Sequence, residues 1–289
     1  MGGAVYGCEM DTSFRIVHNR AVTQEERDHF KKSKYTQSRI GNIYEKLRSD
    51  LKSGIYVLFS GTSCQTAAIR NYVHLLRLPT QRLYCIDILC RGVPSQKLWD
   101  KYLSYIEKRY KGSIEYIEYR DKSYKGWRSH YESFVINGQK HYSNDFGSLF
   151  IKDVYFRPSC YNCKYKTVMH PSDITLGDFW EVDEAIPGFN DNKGISLVLI
   201  NSVKGYRLFE QCKDNLIVKQ AEFKKSEQDI FYKPVKKPKS RPLYWIILNA
   251  LGINVVLSWL HFKSKFGLWK KSIIMRLFDK RHTNGSISR

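Results

Sequence analysis

Cys160 and Cys163, in "SCYNCKY", are the residues best suited by type and spacing to hold a soft metal. Two thiolates on one tight turn are common to zinc knuckles and iron–sulfur sites. The pair is only half of a four-coordinate site, and the other five cysteines (Cys8, Cys64, Cys85, Cys90 and Cys212) stand singly. Cys64 follows the apolar run "IYVLF" (Ile55 to Phe59), and Cys90 follows "LYCIDIL" (Leu83 to Leu89). If both runs are parallel strands, their C-terminal ends share one edge, where open α/β sheets bind ligands. A thiolate at a helix N-terminus is stabilised by free backbone amides, so Cys64 is expected to deprotonate readily. The loop before it, Ser60-Gly61-Thr62-Ser63, offers amides and hydroxyls suited to a phosphate. Four thiolates suit zinc or an iron–sulfur cluster, and spacing does not choose between them. Residue types alone equally allow Cys64 and Cys90 to be buried small apolar residues. Cys85, inside its run, reads as core, and Cys8 and Cys212 as structural.

The elements that must position these residues follow from periodicity. "GAVYG" and "FRIVHN" read as short strands, and Thr23 with Glu26 has capping-box spacing at a helix start. Ile43, Leu47 and Leu51 have helical spacing. "IYVLF" reads as a strand buried on both faces, the segment after Cys64 as a helix, and "LYCIDIL" as a second buried strand, which together make a βαβ unit with a parallel sheet. Trp99 to Tyr110 reads as a helix, and Ile114 to Arg120 and Tyr131 to Asn137 as strands, with "NGQ" as a hairpin turn. "DITLGDFW" and "ISLVLINS" supply further strands. The expected fold class is α/β passing into α+β: a partly parallel central sheet flanked by helices, with a basic helical C-terminal tail. The expected units are 1–95, 96–232 (with the CxxC pair) and 233–289.

The chain has 289 residues, 42% hydrophobic and 14% aromatic, enough for a sizeable core. Its formal net charge is +20, and the segment from Lys233 to Arg289 carries 13 Lys and Arg against Asp279 alone. An odd cysteine count, irregular spacing and no secretory leader argue against a secreted disulfide scaffold and for a reducing cytosol. "KPVKKPKSRP" is a basic linker. "LYWIILNALGINVVLSWLHF" (Leu243 to Phe262) lacks Asp, Glu, Lys and Arg and is just long enough to span a bilayer, though Asn249, Asn254, Ser258 and His261 count against a span. "KSKFGLWKKSIIMRLF" interleaves Lys with apolar residues, as in helices that lie on anionic membranes. Two terminal helices packed on the domain are the plainer alternative. Without a recognition motif, nucleic acid ranks below membrane contact.

Several motifs in order give the chain a family resemblance: "GGAVYG", "SKYTQSRIG", "VLFSGTSCQTA", "DILCRGVPS", "YRDKSYKGW", "RPSCYNCKYK", "SDITLGDFW" and "KGISLVLINSVKG". Over Gly2 to Tyr232 it resembles the coenzyme F-420 hydrogenase/dehydrogenase beta-subunit family, especially the bacterial branch associated with polysaccharide synthesis. The resemblance implies FAD and a 4Fe-4S cluster, with Cys64, Cys90, Cys160 and Cys163 as cluster ligands. It implies flavin contacts from Lys34, Tyr35, Gln37 and Ser38 and from the turn Ser60, Gly61, Thr62, Ser63 and Gln65. Asp178, in "GDFW", would lie near the cluster or flavin, or would merely cap a turn. Ser63, Arg91 and Glu181 depart from the usual Pro, His and Gly, and the last puts its turn in doubt. Relatives usually begin with a two-cluster ferredoxin module and a flavin loop that this sequence lacks, so the expectation is that the gene is truncated, that its start is mis-called, or that another polypeptide, a redox partner or ferredoxin-type module, supplies the missing parts.

The expected activity is an oxidoreductase subunit passing electrons from the cluster to FAD and on to an organic acceptor. The alternative is a non-catalytic metal-bearing scaffold, or a membrane-surface partner in polysaccharide assembly, on the cytoplasmic side. No catalytic acid or base stands out. His130, His141 and His170 are scattered, with His170 closest to the cysteine turn.

Overall fold

The computed structural model describes residues 2–262. The segment "KSKFGLWKKSIIMRLF", and with it the expected membrane-surface helix, lies outside the described residues. The chain runs β1 (Gly3–Met10), β2 (Ile16–Ala21), α1 (Gln24–Asp28), α2 (Ile43–Lys52), β3 (Tyr56–Thr62), α3 (Ser63–Leu75), β4 (Leu83–Ile88) and α4 (Gln96–Tyr110). It continues through β5 (Ile114–Glu118), α5 (Lys122–Lys125), β6 (Glu132–Ile136), β7 (Gln139–Ser143) and α6 (Asp145–Ile151). Last come β8 (Ile174–Asp178), α7 (Val182–Ala185), β9 (Ser196–Ile200), α8 (Val203–Cys212) and α9 (Arg241–Ala250).

Two sheets form, as the mixed α/β reading expects. The larger has the order β2-β1-β3-β4-β8-β9, and its four inner strands are mutually parallel while the two edges run antiparallel. The connection β3-α3-β4 is the βαβ unit read from the apolar runs. The smaller sheet is the antiparallel β5-β6-β7, whose hairpin turns on Asn137 and Gly138 at φ 51° and 69°, the left-handed pair that a two-residue turn of this kind requires. At the start of α1, Thr23 and Glu26 make the capping box, although the helix extends only five residues.

Among the described residues three apolar cores result. One lies between the large sheet and α2 and α3, built on Tyr6, Leu47, Phe59, Ile69 and Cys85. A second joins α4, the small sheet, α6 and the last helices around Trp99, Tyr102 and Phe146. The third, around Trp127, Phe179, Leu197 and Phe231, flanks the β9 edge.

Two expectations are corrected. In β3, Val57 and Phe59 are buried but Tyr56 is exposed and Leu58 only half-buried, so the strand is covered on one face, not two. The run Leu243 to Phe262 is not one long helix: α9 ends at Ala250, Gly252 turns the chain at φ 82°, and a further helix covers 253–262. Ten helical residues span about 15 Å, half the hydrocarbon thickness of a bilayer. No helix among the described residues is long and apolar enough to cross a membrane. Tyr244, Leu248, Val256 and Leu257 are instead buried in the second core, and His261 meets Asp145 at 2.7 Å.

Candidate functional site

The parallel trio β3, β4 and β8 ends at one edge, and the chain passes from those ends directly into Thr62-Ser63-Cys64, Leu89-Cys90 and Asp178. Backbone pairing brings the CxxC turn there. Residues after Cys90 pair with those before Cys160: Ser95 N–H donates to the Tyr155 carbonyl (2.9 Å) and Arg157 N–H to that of Val93 (3.0 Å). Gly92 allows this approach, because a Cβ at that position would lie 2.5 Å from the Phe156 ring. The guanidinium of Arg91 clamps the carboxylate of Asp153 through two hydrogen bonds of 2.9 and 2.8 Å, a bidentate geometry that a histidine could not make. From the start of α9, Arg241 donates to Tyr161 Oη and to the Phe156 carbonyl, both at 3.3 Å, holding the turn from its outer side.

The result is that four cysteines spread over 100 residues of sequence share one neighbourhood. Burial, and then the thiols of Cys160, Cys64 and Cys163, push Cys90 up to about 12, while Lys166 pulls it down. Cys160 is likewise raised, by burial first and then by Cys64 and Cys163. Cys64 is exposed, and Cys90, Cys160 and Cys163 are half-buried, so Cys64 and Cys90 are not sealed in an apolar core. Cys85 is fully buried, as expected; Cys8 packs against the second core, and Cys212 is exposed. Among the described residues no group of three or more His, Cys, Asp or Glu side chains is arranged to hold a metal ion. What the chain brings towards that edge is four cysteines, soft donors of the kind found in both zinc and iron–sulfur sites.

The expected flavin residues divide. Thr62 caps α3, its N–H donating to Gln65 Oε1 (3.0 Å), and its hydroxyl lies 3.2 Å from Cys64 Sγ. Gln65 Nε2 in turn donates to Ser38 Oγ at 2.8 Å, so Ser38 joins the turn. His18 Nε2 donates to the Ser60 carbonyl (3.0 Å), and burial lowers that imidazole, keeping it neutral. Gly61 packs between Phe59 and Gln65, and Gln37 is exposed beside Ser38. The Lys34 ammonium donates to the carbonyls of His29, Phe30, Lys31 and Lys32. Tyr35 packs against Tyr119 and Phe150. Asp178 does not simply cap a turn. It pairs at 2.6 Å with Arg120, whose side chain is 2% exposed and lies against the Trp180 ring. Glu181 sits at φ −88°, a conformation open to any residue, so the replaced glycine leaves its turn intact.

One network was not read from the sequence. Asp87 is fully buried at the end of β4 and accepts from Ser172 Oγ (2.7 Å) and Thr175 Oγ1 (2.6 Å), with His170 Nδ1 at 2.9 Å. Burial works to raise Asp87, but these bonds and one from Ser63 outweigh it and hold the carboxyl below its ordinary value. With Nδ1 on the carboxylate, His170 Nε2 is left buried, with no hydrogen-bond partner among the described residues. The signal was the polar run "HPSD" before an apolar strand: residues that cannot be buried unless they bond one another.

The family model for the C terminus of the coenzyme F420 hydrogenase/dehydrogenase beta subunit matches residues 56–226, more than half of the chain and the whole stretch carrying the four clustered cysteines. The chain belongs to this family. That membership places it among redox-linked proteins. Among solved structures it is similar to a chain of the xenon-derivatised F420-reducing NiFe hydrogenase complex from Methanosarcina barkeri, with 16% identity over 74% of this chain and 67% of that one and a TM-score of 0.47. That likeness is too distant to bear on function. No curated protein sequence matches significantly.

Proposed function

We propose that this chain is an iron–sulfur flavoprotein subunit that receives electrons at a 4Fe-4S cluster and passes them through FAD to an organic acceptor. The observation that supports the reading is geometric: the parallel strands β3 and β4 lead into Cys64 and Cys90 at one sheet edge, and the backbone pairing of Val93 and Ser95 with Arg157 and Tyr155 brings the Cys160–Cys163 turn towards it. In this reading the four thiolates hold the cluster, and the turn Ser60 to Gln65, with Lys34, Tyr35, Gln37 and Ser38, contacts the flavin. When bound, the flavin supplies hydride chemistry and the cluster one-electron transfer. The chain's own residues set the geometry: the Thr62–Gln65 cap fixes the loop before Cys64, and Arg91 and Arg241 fix the two segments that carry the other thiols. Asp178 and Arg120 form a neutralised pair at the end of β8, a polar patch beside the expected ring. Electrons are taken from a redox partner, for which a ferredoxin-type module is the fitting chemistry.

A second reading is favoured by one observation. Leu243, Ile246, Val255 and Phe262 on the two terminal helices, and Leu251 in the turn between them, are exposed, next to the basic linker from Lys233. This arrangement suits attachment of the protein to an anionic membrane surface, at the cytoplasmic face, with the metal site serving as a scaffold in polysaccharide assembly.

Anaerobic purification separates the two. Brown protein with broad visible absorption and releasable FAD supports the redox reading. Colourless protein with stoichiometric zinc and no flavin supports the scaffold.

A further inference from the structure

The large sheet ends at β9, and the outer edge of that strand has no partner among the described residues. Phe179 N–H donates to the Ile195 carbonyl and Asn201 N–H to that of Asp173, and between them Leu197 lies beside Gly177 and Leu199 beside Thr175. These alternate residues turn their backbone groups to β8, so the N–H and C=O groups of Ser196, Val198 and Ile200 face outward. β9 pairs with β8 alone, and nothing among the described residues bonds those outward amides. The strand, Ser196–Ile200, holds none of the charges or prolines that commonly blunt an edge.

Helix α8 overhangs this edge. Gly205 faces the sheet at β8, since a Cβ there would meet the Asp173 carbonyl oxygen and the Ile174 side chain. Lys204 reaches inward to β4, its ammonium bonded to the Leu83 carbonyl and 5.0 Å from the Tyr84 ring centroid. Successive helical residues turn by about 100°, so Tyr206 leans the opposite way, out over β9, and Phe209, three residues on, leans with it. Tyr206 is 54% exposed and Ile200 38%. Neither they nor Val198 and Phe209 belong to any of the three apolar cores. A single added strand, whether from residues 263–289 or from another protein, would satisfy the backbone of β9 and leave Tyr206 in water. A second copy answers both. Paired antiparallel about a twofold axis at Val198, each β9 sets Val198 beside Val198 and Ser196 beside Ile200, with no charge facing its like. The ten residues of α8 rise about 15 Å and the five of β9 about 17 Å, so the middle of the helix lies level with that axis. Three strand spacings of about 4.8 Å separate β8 from its copy and set the two helices about 14 Å apart. Close helix contact needs about 8–10 Å, and the rings of Tyr206 and Phe209 from both copies fill the difference.

We propose that the chain forms a twofold dimer in which β9 pairs antiparallel with β9 of a second copy, joining the two six-stranded sheets, and α8 packs on its counterpart through Tyr206 and Phe209. The inference stands on the strand edge and on α8, and is independent of what the cysteines hold.

The test is sedimentation equilibrium of the purified full chain in reducing buffer, from about 1 to 100 µM. The expected mass is twice 34.0 kDa. Val198→Pro deletes the outward N–H without touching the bonds to β8, and Tyr206→Arg sets like charges across the axis. Each should raise the dimer Kd about tenfold or more with far-UV circular dichroism unchanged, and Tyr206→Phe should keep it. Register is read by disulfide formation under oxidised glutathione, with the linked peptides identified by mass spectrometry. Val198→Cys should link to its own copy, Cα to Cα about 5.5 Å, whereas Ser196→Cys, about 14 Å from its own copy, should not. A monomer throughout would overturn the proposal. So would a dimer that Val198→Pro and Tyr206→Arg leave intact, or a disulfide at Ser196→Cys in place of Val198→Cys.

Discussion

Glu132 offers a quantitative test of how the second core is built. It is fully buried at the start of β6, accepting from Tyr102 Oη (2.5 Å) and the Phe146 N–H (2.9 Å), with the Gly147 N–H more distant at 3.4 Å. Burial raises its carboxyl from 4.5 to about 7, against the lowering effect of those donors. Between these two values the folded protein holds a proton that the unfolded chain releases. Stability is therefore highest at low pH and falls as pH rises from about 4.5 through about 7. The gap is worth about 3 kcal/mol, at roughly 1.4 kcal/mol per pH unit. Glu132→Gln mimics the protonated acid: its carbonyl oxygen keeps the Tyr102 and Phe146 bonds, and its amide faces the weakest contact. Urea unfolding of both proteins, followed by tryptophan fluorescence from pH 4.5 to 8, isolates this residue from others that titrate. The glutamine variant should gain about 3 kcal/mol on the wild type across that range. A difference that stays constant with pH would refute the burial argument.

Two further outcomes follow from the geometry of β8. Asp178→Asn leaves the buried Arg120 guanidinium without its counter-charge; because Asp178 is itself a third exposed, the loss of stability should be about 2 kcal/mol, below the value for a fully buried pair. Unchanged urea unfolding would contradict the pairing. Gly205→Ala would press a Cβ into the Asp173 carbonyl oxygen, forcing α8 off the start of β8. Thermal unfolding should show a loss of about 2 kcal/mol or more, with Glu210→Ala on the exposed side of α8 near zero; equal effects would contradict the packing.

The strands and helices were legible because each has a period of its own. Ile43, Leu47 and Leu51 line the buried face of α2, and Asn137-Gly138 forces its hairpin. The sheet edge shared by Cys64 and Cys90 was legible as well, since a βαβ unit dictates it. How Cys160 and Cys163 reach that edge was not: it depends on the pairing of Val93 and Ser95 with Arg157 and Tyr155, and on Arg91 meeting Asp153, contacts with no local pattern. Hydropathy misled twice. An apolar run records that side chains avoid water, not which element shields them, so the open side of β3 was invisible. The uncharged run from Leu243 concealed the bend at Gly252, where one glycine outweighs twenty residues of composition. The Asp87–His170 network is long-range and polar, and neither period reports it.

The central claim is that Cys64, Cys90, Cys160 and Cys163 together hold one four-iron cluster. Iron and acid-labile sulfide analysis of anaerobically prepared full chain, with each of the seven cysteines changed singly to serine, tests it most directly. The account predicts about four irons and four sulfides per chain, depleted by Cys64→Ser, Cys90→Ser, Cys160→Ser or Cys163→Ser and kept by Cys8→Ser, Cys85→Ser and Cys212→Ser. Stoichiometric zinc in place of iron, or equal loss from Cys160→Ser and Cys212→Ser, would contradict it.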